Sequence, residues 1–231
     1  MLREHTLLVP EQMSSAGIWL DPTSLLAHPM TNQKVESTLS SLFRGLRSPI
    51  ATVSNGGLVI GGAVASVLHC PILPIKKRGD CPRPRVTGAI YANSTVSGEE
   101  EKPSKQLCVH LPDVVRVIDP LDPDTYVFWL LDDMKDRGRT LHAARELIEG
   151  LTIHGISPCV AGAIVIVERV LEDDEPEYWD NTLPLVSLLR GTKKTLKRLA
   201  TTQRHSVNSL LETREVEVHN GVTLEMEEKA S

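Results

Sequence analysis

The stretch Val127-Phe-Trp-Leu-Leu-Asp-Asp-Met-Lys-Asp-Arg-Gly-Arg-Thr-Leu141 constrains this chain more than any other. Thr125 to Leu131 is almost wholly apolar and reads as a buried central strand, since a strand covered on both faces has no polar side to show. It delivers two adjacent carboxylates, Asp132 and Asp133, to its C-terminal edge. A short loop containing Gly138 follows and opens a helix, with Thr140 as its expected N-cap and Leu141, Ala144, Leu147, Ile148 and Leu151 on one face. Ligands of open α/β sheets sit at that carboxyl edge. Backbone N–H groups of such a loop, with a helix start behind them, suit a phosphate. Arg137, Arg139 and the Thr140 hydroxyl strengthen the anion reading. Two carboxylates would repel a phosphate, so they serve something else: ribose hydroxyls, or a magnesium ion that carries the phosphates.

The rest of the chain reads as the frame for that segment. Thr38 to Leu46 is a first helix, Pro49 to Val53 a short buried strand and Ser54-Asn-Gly-Gly57 a tight turn. Leu58 to Leu68 is a helix of small apolar residues and Cys70 to Ile75 a second strand, which together make a βαβ unit. Lys76 to Leu107 is long, polar and broken by proline and glycine, as functional lids or disordered segments are, with Val86 to Tyr91 as one arm of a hairpin within it. Val114 to Ile118, Val160 to Val167 and Leu183 to Leu189 read as further strands. The basic stretch Lys193 to Arg198 leads into a polar tail, Thr201 to Ser231. A net charge of −5 offers no broad basic surface for nucleic acid. No apolar run approaches the ~18–20 residues of a membrane span. The four cysteines are widely spaced with no CxxC pair, which points to a reducing cytoplasm rather than to zinc or a disulfide framework.

Four apolar residues, Asp132-Asp133, an apolar residue, then x-Asp-Arg-Gly-x-Thr and a helix resemble the phosphoribosyl-diphosphate (PRPP) signature of type I phosphoribosyltransferases, and within that superfamily the adenine phosphoribosyltransferases. Gly17-Ile-Trp-Leu-Asp-Pro-Thr-Ser-Leu-Leu26 is similar to the family's N-terminal segment, and Ile72-Leu-Pro-Ile-Lys-Lys-Arg-Gly79 to its Ile-Arg-Lys-x-Gly stretch. The likeness covers roughly residues 16–190. It implies an α/β fold with a mostly parallel central sheet flanked by helices, a small N-terminal hood and a long flexible lid. Residues 1–48 would form the hood and first helix. Residues 49–190 would form the core, with the lid at 76–107, and 191–231 a basic helix and polar tail.

The resemblance also implies roles. Asp132 and Asp133 would hold the ribose hydroxyls, directly or through Mg²⁺, and Asp136, Arg137, Gly138, Arg139 and Thr140 would cradle the 5′-phosphate. Ser54, Asn55 and Gly56, aided by Lys76 and Lys77, would hold diphosphate. Ile18, Trp19 and Leu20 would lie in the hood over a purine base. The implied reaction transfers 5-phosphoribose from PRPP to a purine, most simply adenine, in a homodimer, giving a nucleoside monophosphate and diphosphate.

Several residues depart from the pattern. Asn55 stands where the family usually carries an arginine, Leu20 replaces another arginine, Asp80 replaces a lysine, and the Tyr-x-x-Glu of the lid is not intact after Tyr91. These departures support an alternative: a catalytically weak or inactive relative that binds PRPP or nucleotide as a sensor or partner subunit. Asp136 replaces an alanine, where the 6-oxopurine branch uses an aspartate as general acid/base. Two readings stand for it: that role, or a pair with Lys135, Arg137 or Arg139. Glu168-Arg169 ends a strand close to the expected base pocket.

Overall fold

In the computed structural model, the described residues are 9–14, 17–21, 29–53, 56–91 and 105–192. The strands are β1 Val9–Ser14, β2 Gly17–Asp21, β3 Ile50–Val53, β4 Ile72–Lys77, β5 Arg85–Tyr91, β6 Lys105–His110, β7 Val127–Lys135, β8 Cys159–Val170 and β9 Leu185–Thr192. The helices are α1 Pro29–Leu42, α2 Gly56–Leu68, α3 Leu111–Val117 and α4 Arg139–Glu149. Seven strands form one sheet in the order β5-β6-β4-β3-β7-β8-β9. β4, β3, β7, β8 and β9 run parallel. β6 is antiparallel to β4 and to β5. β1 and β2 pair as an antiparallel two-stranded sheet, in the stretch expected to be the hood.

Alternation along β7 divides the core between the two faces of the sheet. Phe128 and Leu130 pack with Leu73, Ile75, Val109, Leu141, Leu147 and Ile148 on the α4 side. Leu131, with Trp129 partly buried beside it, joins Val35, Leu39, Phe43, Ile60 and Val64 on the α1–α2 side. Phe43 meets Trp129 edge-on, with ring centroids 5.0 Å apart, a favoured arrangement of aromatic quadrupoles. The aromatic residues of β7 thus pack behind the carboxylates that follow them.

The structure moves several expected boundaries and changes one element. Of Val114 to Ile118, read as a strand from its β-branched residues, Val114 to Val117 belong to helix α3 and Ile118 caps its end. Pro112 sits in its first turn, where a missing N–H costs nothing, and Val114 and Val117, one helical turn apart, are buried. The first helix begins at Pro29, nine residues before Thr38, and is followed by a turn with Gly45 at φ +83°. Within 76–107 the expected hairpin arm Val86 to Tyr91 is strand β5, the first and last residues belong to β4 and β6, and residues 92–104 lie outside the described residues. The tail 193–231 also lies outside them. Among the described residues no helix is long and apolar enough to cross a membrane.

Candidate active site

The register of the parallel strands brings the candidate residues to one edge. Thr52 lies beside Leu131 and Val53 beside Ile75, so β3 stops level with the residues that precede Asp132 and Lys76. β7 does not stop there. β8 keeps pairing with it, Asp132 with Val165, Met134 with Val167 and Lys135 with Glu168, so the two aspartates are part of the strand. Lys76 and Lys77 end β4 at the same edge. Ser54 and Asn55 fall outside the described residues, as do the side chains of Ile18, Trp19 and Leu20, whose backbone forms β2.

Helix α2 begins against the aspartates. A side-chain carbon on Gly56 would overlap the Asp133 carboxylate, and one on Gly57 would fall 2.8 Å from the Leu131 carbonyl oxygen and 3.2 Å from Asp132 Oδ1. Glycine is therefore required for steric reasons: the helix start and the carboxylates share the same small volume. Asp132 is buried, and its Oδ1 accepts from the Asp133 N–H at 2.9 Å. Burial, then the charge of Asp133, pushes its carboxyl well above the usual carboxylate range. A buried acid beside another acid is suited to a cation or to hydroxyl donors.

The loop after β7 leads into α4 through Gly138, which takes φ +80° at the helix cap. The helix begins at Arg139, so Thr140 lies inside its first turn and is not the N-cap. The first intrahelical bond runs from the His142 N–H to the Gly138 carbonyl at 2.9 Å, and the N–H groups before it have no partner within the helix.

Sequence reading did not foresee what lies across this loop. Residues 172–180, between β8 and β9, form an acidic and aromatic strap. The Tyr178 N–H donates to the Arg137 carbonyl at 2.9 Å. Arg139 donates to the Tyr178 hydroxyl at 2.7 Å, and its guanidinium stands 4.4 Å from the centroid of that ring. Arg137 meets Glu175 at 3.4 Å, and the buried Lys135 meets Glu177 at 2.8 Å and Glu168 at 3.7 Å. Trp179 is buried against Gly138, and Asp180 pairs with Arg145 of α4 at 2.8 Å.

Asp136 pairs with none of the three cations expected for it. Its Oδ1 accepts from Nε of Arg169, which is buried on β8 and also donates to Glu175. Glu168, its neighbour, accepts from Ser187 at 2.8 Å and faces Arg190 at 3.2 Å. A signal for the strap existed in the sequence: Tyr178-Trp179 is an aromatic pair in an acidic loop of a chain with only 3% aromatic residues.

The strap gives the fold an acid limb. Arg169, first among its partners, lowers the Glu175 carboxyl from 4.5 to about 2, and Thr182, then Arg145, lower Asp180 from 3.8 to about 2. A depressed carboxylate contributes stability that is present above its ordinary value and lost as pH falls through the folded one. Urea unfolding between pH 5 and 2 should therefore show stability falling below about pH 4.5, and Glu175→Gln should flatten that fall. Asp132, shifted the other way, adds stability as pH falls toward its ordinary value of 3.8 and nothing further below it, so it does not offset the acid limb.

No protein-family profile matches the chain. An adenine phosphoribosyltransferase of Methylorubrum extorquens (strain PA1) is 28% identical over 159 residues, covering 68% of this chain and 79% of that protein. The adenine phosphoribosyltransferase of Rhodothermus marinus superposes with a TM-score of 0.62 at 19% identity, over 82% of this chain and 98% of that one. That of Trypanosoma brucei, solved with AMP, pyrophosphate and ribose-5-phosphate, gives 0.60 at 14% identity, over 82% and 79%. The fold defines the class: it is that of the type I phosphoribosyltransferases. Within that class the chain is similar to the adenine phosphoribosyltransferases in sequence and in structure.

Proposed function

We propose that the chain binds PRPP and transfers its 5-phosphoribosyl group to a purine, adenine being the base that its relatives' names point to. The observation that carries this reading is the meeting of Asp132-Asp133, the start of α2 and the 136–140 loop at one sheet edge. The spacing suits a sugar with an anion at each end. Asp132 and Asp133 accept from the ribose hydroxyls or from a bound cation. The loop N–H groups, Thr140 and Arg139 take the 5′-phosphate. Gly56, Ser54, Asn55, Lys76 and Lys77 take the diphosphate, and the β2 stretch with Ile18, Trp19 and Leu20 covers the base. The proposed assembly is a homodimer, as the resemblance implies, and the proposed location the cytoplasm, as the widely spaced cysteines suggest.

Mg²⁺ fits this donor set. Among the described residues no group of three or more His, Cys, Asp or Glu could hold a metal, so an all-protein cage is absent there. Mg²⁺ is instead commonly held by one or two carboxylates together with substrate phosphates. Asp132 and Asp133 would supply the carboxylates, and the ion when bound offsets charge on the departing diphosphate. The protein's own work is to orient the ribose and keep water from a sugar carbon that becomes cationic.

A second reading, binding without turnover, is favoured by Asn55: a neutral amide cannot neutralise diphosphate as the family's arginine does. Calorimetry with PRPP and Mg²⁺, followed by turnover assays with adenine, guanine, hypoxanthine, xanthine and orotate, separates the two. We expect Mg²⁺-dependent PRPP binding and AMP formation with adenine. Binding without product on any base would leave the second reading, and no binding would overturn both.

A further inference from the structure

We propose that the 172–180 strap competes with the substrate's 5′-phosphate for Arg137 of the 136–140 loop, so that Glu175, which holds that guanidinium, sets the affinity of the site. This inference rests on the phosphoribosyl reading above and adds a regulator to it.

The charges on the page support competition. Around the loop, Lys135, Arg137 and Arg169 are each held by a carboxylate. Both carboxylates come from the strap: Glu175 holds Arg137 and Arg169, and Glu177 holds Lys135. Arg139 differs: its strap partner is the neutral Tyr178 hydroxyl, and its Nε is buried with no acceptor. An anion arriving at the helix start therefore meets one cation not neutralised by the strap, and a second, Arg137, whose charge Glu175 already satisfies. A phosphate and Glu175 are acceptors of the same kind, and a guanidinium edge that serves one does not serve the other. Glu175 also stands near the loop as a negative charge, so its repulsion of the phosphate adds to the competition.

The attachment is reversible in form. The Arg137–Glu175 contact is long, at 3.4 Å, and Arg137 keeps a buried Nε without a partner. Elsewhere the strap is held closely: Glu175 accepts from the buried Arg169, Glu177 meets the buried Lys135 at 2.8 Å, Trp179 is buried and Asp180 is bound to Arg145. Glu175 can thus give up Arg137 to a phosphate while its other oxygen stays on Arg169 and the strap stays in place.

The test uses ribose 5-phosphate as probe, with the full chain, by calorimetry at low and at physiological salt. Glu175→Gln should bind it about five- to tenfold more tightly than the wild type, the scale of one charge-assisted contact on a partly exposed site. Glu172→Gln makes the same change in net charge on the same strap and serves as control; it should change affinity by less than about twofold. Affinity in Glu175→Gln that is equal to or weaker than that of the control would overturn the competition and mark Glu175 as a residue that positions Arg137. Absence of ribose 5-phosphate binding in the wild type and every variant would overturn the phosphoribosyl reading itself, and this inference with it.

Discussion

Arg169→Met should lower stability by about 3 kcal/mol, toward the lower end of the ~3–5 kcal/mol for breaking a buried ion pair from one side. The guanidinium is 3% exposed and donates to two carboxylates, Asp136 and Glu175. Removing it leaves both without their main counter-charge. They are 13% and 17% exposed, so water recovers part of their solvation, and the lower end of the range applies. In a chain of this length each kcal/mol is worth about 2–4 °C, so the melting temperature should fall by roughly 6–12 °C. The triple variant Arg169→Met, Asp136→Leu, Glu175→Leu should recover most of that loss, because replacing a whole buried ionic cluster by apolar groups is often neutral. A single variant that melts within 2 °C of the wild type would show that the cluster is solvated and weak.

Asp132→Asn should do the opposite: raise stability and abolish most binding. The carboxyl is buried beside Asp133, and its ionisation is disfavoured in the folded chain. The sign follows from linkage. A carboxylate whose folded pKa is raised stabilises the fold most below the ordinary value of 3.8, and loses that contribution as pH rises through the folded value. At neutral pH it is a burden on the ligand-free chain. Asparagine has the same shape and keeps an oxygen that can accept from the Asp133 N–H, so the local geometry survives. We expect the melting temperature without ligand to rise by a few degrees at pH 7.5 and by little at pH 4. PRPP affinity in Mg²⁺ should fall about 10–100-fold, as for loss of a hydrogen bond or metal contact to a charged group. A variant that is more stable and still binds PRPP as tightly would remove Asp132 from the ligand site. Destabilisation at pH 7.5 would show that its charge is satisfied within the fold.

These two residues differ in how far the sequence revealed them. Asp132 was legible because its setting is local: an apolar strand, two acids, a glycine loop and a helix occupy fifteen consecutive positions, and short-range physics is enough to read them. The parallel sheet was legible for the same reason, since buried strands alternate with small apolar or amphipathic helices. Arg169 was noted as the end of a strand, but its partners were not. Asp136 is 33 positions away from it, and nothing in the spacing ranks Arg169 above Lys135, Arg137 or Arg139. Helix α3 was misread because five residues with three valines carry both strand propensity and a helical burial pattern, and the packing of Val114 and Val117 decides between them.

The sequence by itself determined the class of sheet and the placement of two adjacent carboxylates at its carboxyl edge, because each is encoded in contiguous residues. The tertiary structure decided what those groups face. It carried β7 through the aspartates by pairing it with β8, set the α2 glycines against them, and laid the strap across the 136–140 loop. Burial, and with it the charge state of Asp132 and the pairing of Lys135, Arg137 and Arg169, depends on which distant segments exclude water from them. That information exists only once the chain has closed on itself.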